Sequence, residues 1–268
     1  MMLAAWRFGP QGWFAQEEIP LSDRGFRYGA SVFETLLLTR RGIMFLAEHT
    51  ERFSDACAAL AGTPVQVPPF RDLERLAATE LEESDGTAAL LRFVYSAGIG
   101  SVREALSDGE FYAHVEVTDP SLRPPSARVV VASHPILPVL NGHKCGSYLP
   151  NVLAFQEAVR AGADEAVVAD PFGWILGVSM GNLFLRIDGQ WKTPACSGGV
   201  RDGVVRAWVR SRMEVAEARI ALDELDGVDA AFITNSRVGV FPVAVLKGRA
   251  IGLDAQVLRL DAEFGSLT

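Results

Sequence analysis

"NGHKCGSYLPNVLAFQEA", residues 141–158, runs from a glycine-bearing turn through Lys144 into apolar positions at helical spacing. By itself, a lysine ahead of a helix is a solvated surface charge. The exception is a desolvated lysine, which loses proton affinity and serves as a nucleophile or as the Schiff-base partner of an aldehyde cofactor. That chemistry needs three further features elsewhere in the chain: a cradle for a phosphate, a partner for a ring nitrogen, and something to cover the ring.

Outward from this segment the pattern is mixed. "SVFETLLLT" (31–39) and "ALLRFVYSAG" (89–98) read as strands between glycine and charged turns, and "FYAHVEVTD" (111–119) as another. Between them, "FLAEHTERFSDACAALAG" (45–62) and "FRDLERLAATELEE" (70–83) have helical spacing, the first stopping at glycine and the second starting after Pro68 and Pro69. The proline-rich stretch "TDPSLRPPSA" (118–127) has no periodicity and predicts a linker. The expected organisation is a small α+β domain over 1–118, a linker over 119–126, and a larger C-terminal domain over 127–268 that carries Lys144.

In that second part, "ARVVVASHP" and "EAVVAD" read as strands, and "NVLAFQEAVRAG" as a helix closing at Gly162. "GWILGVSMGNLFLRIDGQWKTP" has the glycine punctuation of a β-meander, "DGVVRAWVRSRM" starts a helix, and "AAFITNSRVGVFPVAVLKG" reads as strand, loop, strand.

Composition excludes several function classes. The chain has 268 residues, 49% hydrophobic and 22% charged, which fits a compact globular protein. Its formal net charge of -8, without a basic stripe, argues against nucleic-acid binding. No apolar run approaches the roughly 20 residues of a spanning helix. The N-terminal "MMLAAWRFGPQGWF" lacks the layout of a signal peptide, so no membrane association and a cytoplasmic location are expected. Cys57, Cys145 and Cys196 show no C-x-x-C spacing, and the four histidines form no ligand motif, so neither disulfides nor a metal site is expected.

The phosphate cradle has a candidate in "GGVRDGVVR" (198–206), a glycine-rich loop entering a helix whose free N–H groups suit an anion. "ITNSRVG" (233–239) adds Asn235 and Ser236 at a strand end. Arg52 offers a bidentate cation, and His49, three residues before it, shares its helix face.

Taken together, six blocks resemble the fold-type IV pyridoxal-phosphate (PLP) enzymes: branched-chain and D-amino-acid aminotransferases and 4-amino-4-deoxychorismate lyases. They are "SDRGFRYGASVFETLLL" (22–38), "FLAEHTERF" (45–53), residues 144–170, "GWILGVSMGNLF" (173–184), "TPACSGGVRDGVVR" (193–206) and "TNSRVGVFPV" (234–243). The resemblance implies a two-domain α+β/α/β fold of the D-amino-acid aminotransferase kind, PLP as cofactor, and a homodimer. It matches Lys144 to the lysine that binds the cofactor aldehyde and Arg52 to the arginine on its phosphate. Val204, Val205, Asn235 and Ser236 fall at the other phosphate contacts, and Tyr148 at a position facing the ring or packing under it. Arg92 and Arg103 are candidates for substrate carboxylates, and Arg27 with Tyr28 for the pocket or a subunit contact. His143 should face away from Lys144 by strand alternation.

Gly177 stands where the family has the glutamate that keeps the pyridine nitrogen protonated. Ala30, Ser31 and Val205 are smaller departures. Glu157, Glu165 and Asp170 lie upstream, with no spacing that makes any of them a substitute. A weaker electron sink should harm transamination more than elimination of pyruvate from an amino-chorismate substrate, where forming the aromatic ring helps drive the step. The resemblance therefore implies a PLP-dependent lyase, with a branched-chain or D-amino-acid aminotransferase and a cofactor-free relative as alternatives.

Overall fold

The computed structural model describes residues 2–268. They divide into two compact units, residues up to Ser121 together with His143–Ser147, and Leu122–Gly142 together with Tyr148–Thr268.

The first unit is built on β1 (Met2–Gly9), β2 (Gly12–Ala15), β3 (Ser31–Thr39), β4 (Gly42–Ile43), β5 (Ala88–Ser96) and β6 (Glu110–Thr118), with α1 (Arg24–Tyr28), α2 (Leu46–Ala61) and α3 (Phe70–Glu82). The six strands form one antiparallel sheet in the order β2-β1-β6-β5-β3-β4. α2 ends because Gly62 adopts φ +73°, a left-handed conformation that suits glycine. α3 buries Phe70, Leu73, Ala77 and Leu81, one stripe of a 3.6-residue period. Under the helices the rings interlock: Phe53 stacks on Phe93 at 4.6 Å, and Phe70 meets Phe93 edge-on at 4.5 Å. Burying each such ring stabilises the unit by about 1.5–3 kcal/mol.

β4 covers only the far end of β3, at Leu38 and Thr39. The near end is completed by the lysine segment: Phe33 N–H donates to Lys144 C=O at 2.8 Å and Gly146 N–H to Ser31 C=O at 2.7 Å, with Val32 bridged to Cys145. An open strand edge exposes backbone groups that need partners. This is why Lys144, expected with the C-terminal domain, groups with the first unit.

The second unit contains β7 (Ala127–Val131), α4 (Leu149–Arg160), β8 (Glu165–Ala169), β9 (Ile175–Val178), β10 (Asn182–Ile187), β11 (Gln190–Pro194), α5 (Val204–Arg210), β12 (Ala216–Ala218), β13 (Val228–Asn235), β14 (Gly239–Leu246), β15 (Arg249–Ala250) and α6 (Ala255–Leu267). Its sheet runs β12-β11-β10-β13-β14-β7-β8-β9, with β15 paired to β14. The sheet curls, because bridges Val178 to Gly181 and Trp174 to Ala221 bring terminal β9 back toward the strands at the other end. Val167, Leu183, Ile233 and Val243 share the larger core, whereas Ala154 and Ala158 of α4 pack with Ala166 and Val168.

The expected meander forms only in part. Its three strands exist, but β9 is the antiparallel partner of β8, and β10 pairs with β11 and β13. Val178 and Gly181 exchange backbone hydrogen bonds at 3.0 and 3.3 Å around a two-residue turn, but the β9–β10 pairing goes no further than this one bridge.

Candidate active site

In the first unit, Phe33 and Glu34 are neighbours on β3 and so point to opposite faces. Phe33 carries two cations: Lys144 Nζ lies 4.3 Å from its ring centroid and Arg92 Cζ 4.9 Å. The register explains the second contact, since Phe33 opposes Val94 and Thr35 opposes Arg92. An aromatic face attracts cations and shields the lysine stem from water.

Glu34 faces the helices and is only 1% exposed. Arg52 grips it with Nε on Oε1 at 2.8 Å and Nη2 on Oε2 at 2.6 Å, and His49 Nδ1 lies 2.8 Å from Oε2. Burial alone would raise this carboxyl's pKa, but the Arg52 charge and the His49 and Arg52 hydrogen bonds outweigh it, bringing it down to about 2. His49 thus shares a carboxylate with Arg52, whose helix face it shares. Glu34 escaped the sequence reading, although a lone acid inside "SVFETLLLT" was the available signal.

Of the other cationic candidates, Arg27 is exposed, with Cζ 4.8 Å from the Tyr28 ring centroid, and Arg103 is exposed on the 97–105 loop. That loop is tied to α1 by the buried Arg24, whose guanidinium donates to the carbonyls of Gly98, Ala97 and Ala105.

In the second unit, Gly177 sits in β9 with φ +146°, and a Cβ there would come 2.8 Å from the Gly181 carbonyl oxygen. A glutamate cannot be placed on this backbone without strain. The upstream acids have other work. Glu157 accepts from Ser133 N–H and Oγ and contacts His134, and Asp170 accepts from Phe172 and Trp174 N–H. Glu165 is buried beneath the β9–β10 turn, accepting from Ser179 Oγ and from Met180 N–H. Tyr148 OH and Asn151 Nδ2 donate to the Ser179 carbonyl at 3.5 and 2.9 Å.

Burial pushes Glu165 up to about 7 against the lowering pull of its hydrogen bonds. Its folded pKa is raised, so its contribution is fully present below the ordinary carboxylate range and is lost as pH rises through 7. Glu165→Gln should therefore remove about 3 kcal/mol of the stability that the native chain loses between pH 5 and pH 8. Chemical denaturation at the two pH values measures it, and equal losses in both proteins would show that another group titrates.

Val204 and Val205 open α5 with buried side chains, so only their backbone can face a ligand. Gly199, at φ +81°, turns the chain before them. Asn235 Oδ1 accepts from the N–H groups of Arg237 at 3.0 Å and Val238 at 2.9 Å, which makes it the builder of the turn that presents Ser236. Next to this turn, Thr234 Oγ1 is buried with no hydrogen-bond partner among the described residues. A buried hydroxyl left unpaired, between a glycine turn and a hydroxyl-bearing turn, fits a phosphate-bearing cofactor. Among the described residues no cluster of His, Cys, Asp and Glu could hold a metal ion, and no helix is long and apolar enough to cross a membrane.

The family model for amino-transferase class IV matches residues 31–246, from β3 to the end of β14. The chain belongs to that family. Class IV aminotransferases are PLP-dependent enzymes, and the fold-type IV expectation holds. A putative branched-chain-amino-acid aminotransferase of Methanocaldococcus jannaschii is 29% identical over 87% of this class IV chain and 84% of its own. The aminodeoxychorismate lyase of Vibrio harveyi is 28% identical over 94% of each. Among solved structures, a branched-chain amino acid aminotransferase from T.th. with N-(5'-phosphopyridoxyl)-L-glutamate is 25% identical, with a TM-score of 0.82 over 99% of this chain and 94% of that one. The Thermoproteus uzoniensis branched-chain aminotransferase, 19% identical with a TM-score of 0.84 over 100% and 95%, shares the fold. These relatives are named as aminotransferases or a lyase, and none as a cofactor-free protein.

Proposed function

We propose that this class IV enzyme is a PLP-dependent lyase resembling 4-amino-4-deoxychorismate lyase, releasing pyruvate and 4-aminobenzoate from an amino-chorismate substrate. The observation that carries this reading is Gly177, whose backbone leaves no room for a carboxylate partner to the ring nitrogen. A cofactor without that partner is a weaker electron sink, and elimination assisted by aromatisation tolerates this better than transamination does. The near end-to-end match with the Vibrio harveyi lyase supports it.

Lys144 would hold the cofactor by its aldehyde carbon, Arg52, Ser236 and the backbone of Val204 and Val205 would bind its phosphate, and Tyr148 would pack on its ring. PLP bound there supplies the electron sink for breaking bonds next to the substrate amine. Lys144 Nζ then takes up and returns the proton of the reacting carbon. Phe33 keeps water from the lysine stem, and Arg92, on the same ring, presents its guanidinium to a substrate carboxylate. Arg103 and Arg27 remain secondary candidates for that role. Arg52 also keeps Glu34 charged, which holds its own fork rigid.

A class IV aminotransferase for branched-chain or D-amino acids is the second reading, favoured by the Methanocaldococcus jannaschii relative. Supplying the protein with 4-amino-4-deoxychorismate should give 4-aminobenzoate and pyruvate in equal amounts. Glutamate formed from 2-oxoglutarate and leucine, without that product, would overturn the lyase reading. Gly177→Glu is a poor discriminator because of the strain at that position.

A cytoplasmic location and a homodimer belong to the same proposal. Leu21, Phe26, Ile99 and Val102 are exposed on segments joined by the Asp23 to Ile99 bridge, an apolar surface suited to a second copy. A sedimenting mass of one chain would count against the dimer.

A further inference from the structure

We propose that Asn182 is a positioning residue that locks together the two turns assigned to the cofactor phosphate, and so sets the preference for the phosphorylated cofactor without touching it. This rests on the cofactor reading above.

Asn182 is 7% exposed at the start of β10. Its Nδ2 donates to the Arg201 carbonyl at 2.7 Å, which fixes the turn ahead of Val204. Gly203 packs directly on the same carboxamide: a Cβ at 203 would fall 2.0 Å from Asn182 Oδ1, so only glycine lets the turn approach so closely. In the other direction, Asn182 is the ladder partner of Thr234, the residue before Asn235 and Ser236. The two share one face of the sheet, with Phe184 and Phe232, the next pair on that face, stacked at 4.4 Å. The carboxamide therefore ties the 199–203 turn to the strand position whose backbone pairs with Thr234, two residues before Ser236. The unpartnered Thr234 hydroxyl lies at this junction.

The fold does not depend on Asn182 to anchor α5. Arg206, fully buried, is bonded to Asp202 at 2.6 Å, to the Pro194 carbonyl at 3.1 Å, and to Glu217. Losing the Asn182 bond should loosen the turn while the helix stays in place.

Asn182→Leu keeps the branched shape of the side chain and removes the donor. Apo protein and variant are titrated with PLP and with pyridoxal, which lacks the phosphate, following the visible band of the lysine-bound cofactor. The variant should bind PLP about 10-fold more weakly, the equivalent of one lost hydrogen bond, and pyridoxal nearly as the native chain does. Gly203→Ala, which displaces the carboxamide from the other side, should show the same selective loss and serves if Asn182→Leu does not fold. Asn182→Ser, which retains a donor, should recover part of the affinity. Equal weakening for both ligands, or none, would overturn the inference while leaving the cofactor reading intact. A native chain that binds neither ligand at Lys144 would refute both.

Discussion

Lys144→Ala is expected to remove the visible band of the PLP-loaded protein and to lower turnover by at least about 10³-fold. One amine has two tasks in this account, holding the cofactor and moving the proton at the reacting carbon, so its deletion removes both at once. Lys144→Arg should fare no better, because a guanidinium keeps its proton and cannot form the bond. The fold should survive either change: what joins the 143–147 segment to β3 is backbone, Phe33 N–H to Lys144 C=O and Gly146 N–H to Ser31 C=O. Circular dichroism separates loss of function from loss of fold. A Lys144→Ala protein that is folded, coloured and active would remove the basis of the mechanism.

Arg52→Ala should cost about 3–5 kcal/mol of stability, because it leaves the Glu34 carboxylate buried with its fork gone. The double variant with Glu34→Gln should recover much of that loss, since the charge that needed the arginine is also gone. The same pair sets an acid limit. The folded pKa of Glu34, about 2, lies below the ordinary carboxylate value of 4.5. Its contribution is therefore complete above pH 4.5 and is lost as pH falls toward 2, a swing of about 3 kcal/mol. Denaturation at pH 7 reads the first effect, and the difference between pH 7 and pH 3 reads about 2 kcal/mol of the second. An Arg52→Ala protein as stable as the native chain, with unchanged acid sensitivity, would show that the pair is structurally idle.

Much of the fold was legible because local rules and tertiary packing agree along most of the chain. β3 has the bounds of its apolar run, Ser31–Thr39, and α2 stops at the glycine that marks its end. α6 went unread, although Asp254 caps it through its side chain and Val257, Leu260 and Phe264 form its buried stripe. The hairpin of β1 and β2 also escaped, since the N-terminal stretch was weighed only as a possible leader. Placing Lys144 with the C-terminal domain followed chain order, whereas the open edge of β3 is a long-range demand that no local pattern reveals.

The site was legible in its residue types and less so in their partners. Lys144 on Phe33 and Arg52 on Glu34 are pairings across distant segments, and the second depends on a buried charge within a strand otherwise apolar. Gly177 could be recognised as a departure from the family. Only the backbone shows that it is a required glycine, by its φ and by the approach of the Gly181 carbonyl.

The central claim is a covalent bond between the cofactor and one of the chain's three lysines, Lys144, Lys192 and Lys247. Lys247 is paired with Asp226 at 2.7 Å, and Lys192 lies on β11. Borohydride reduction of the PLP-loaded protein followed by peptide mass mapping reads the bond directly. The account predicts the phosphopyridoxyl mass on the peptide containing Lys144 alone; no adduct, or one on Lys192 or Lys247 instead, would contradict it.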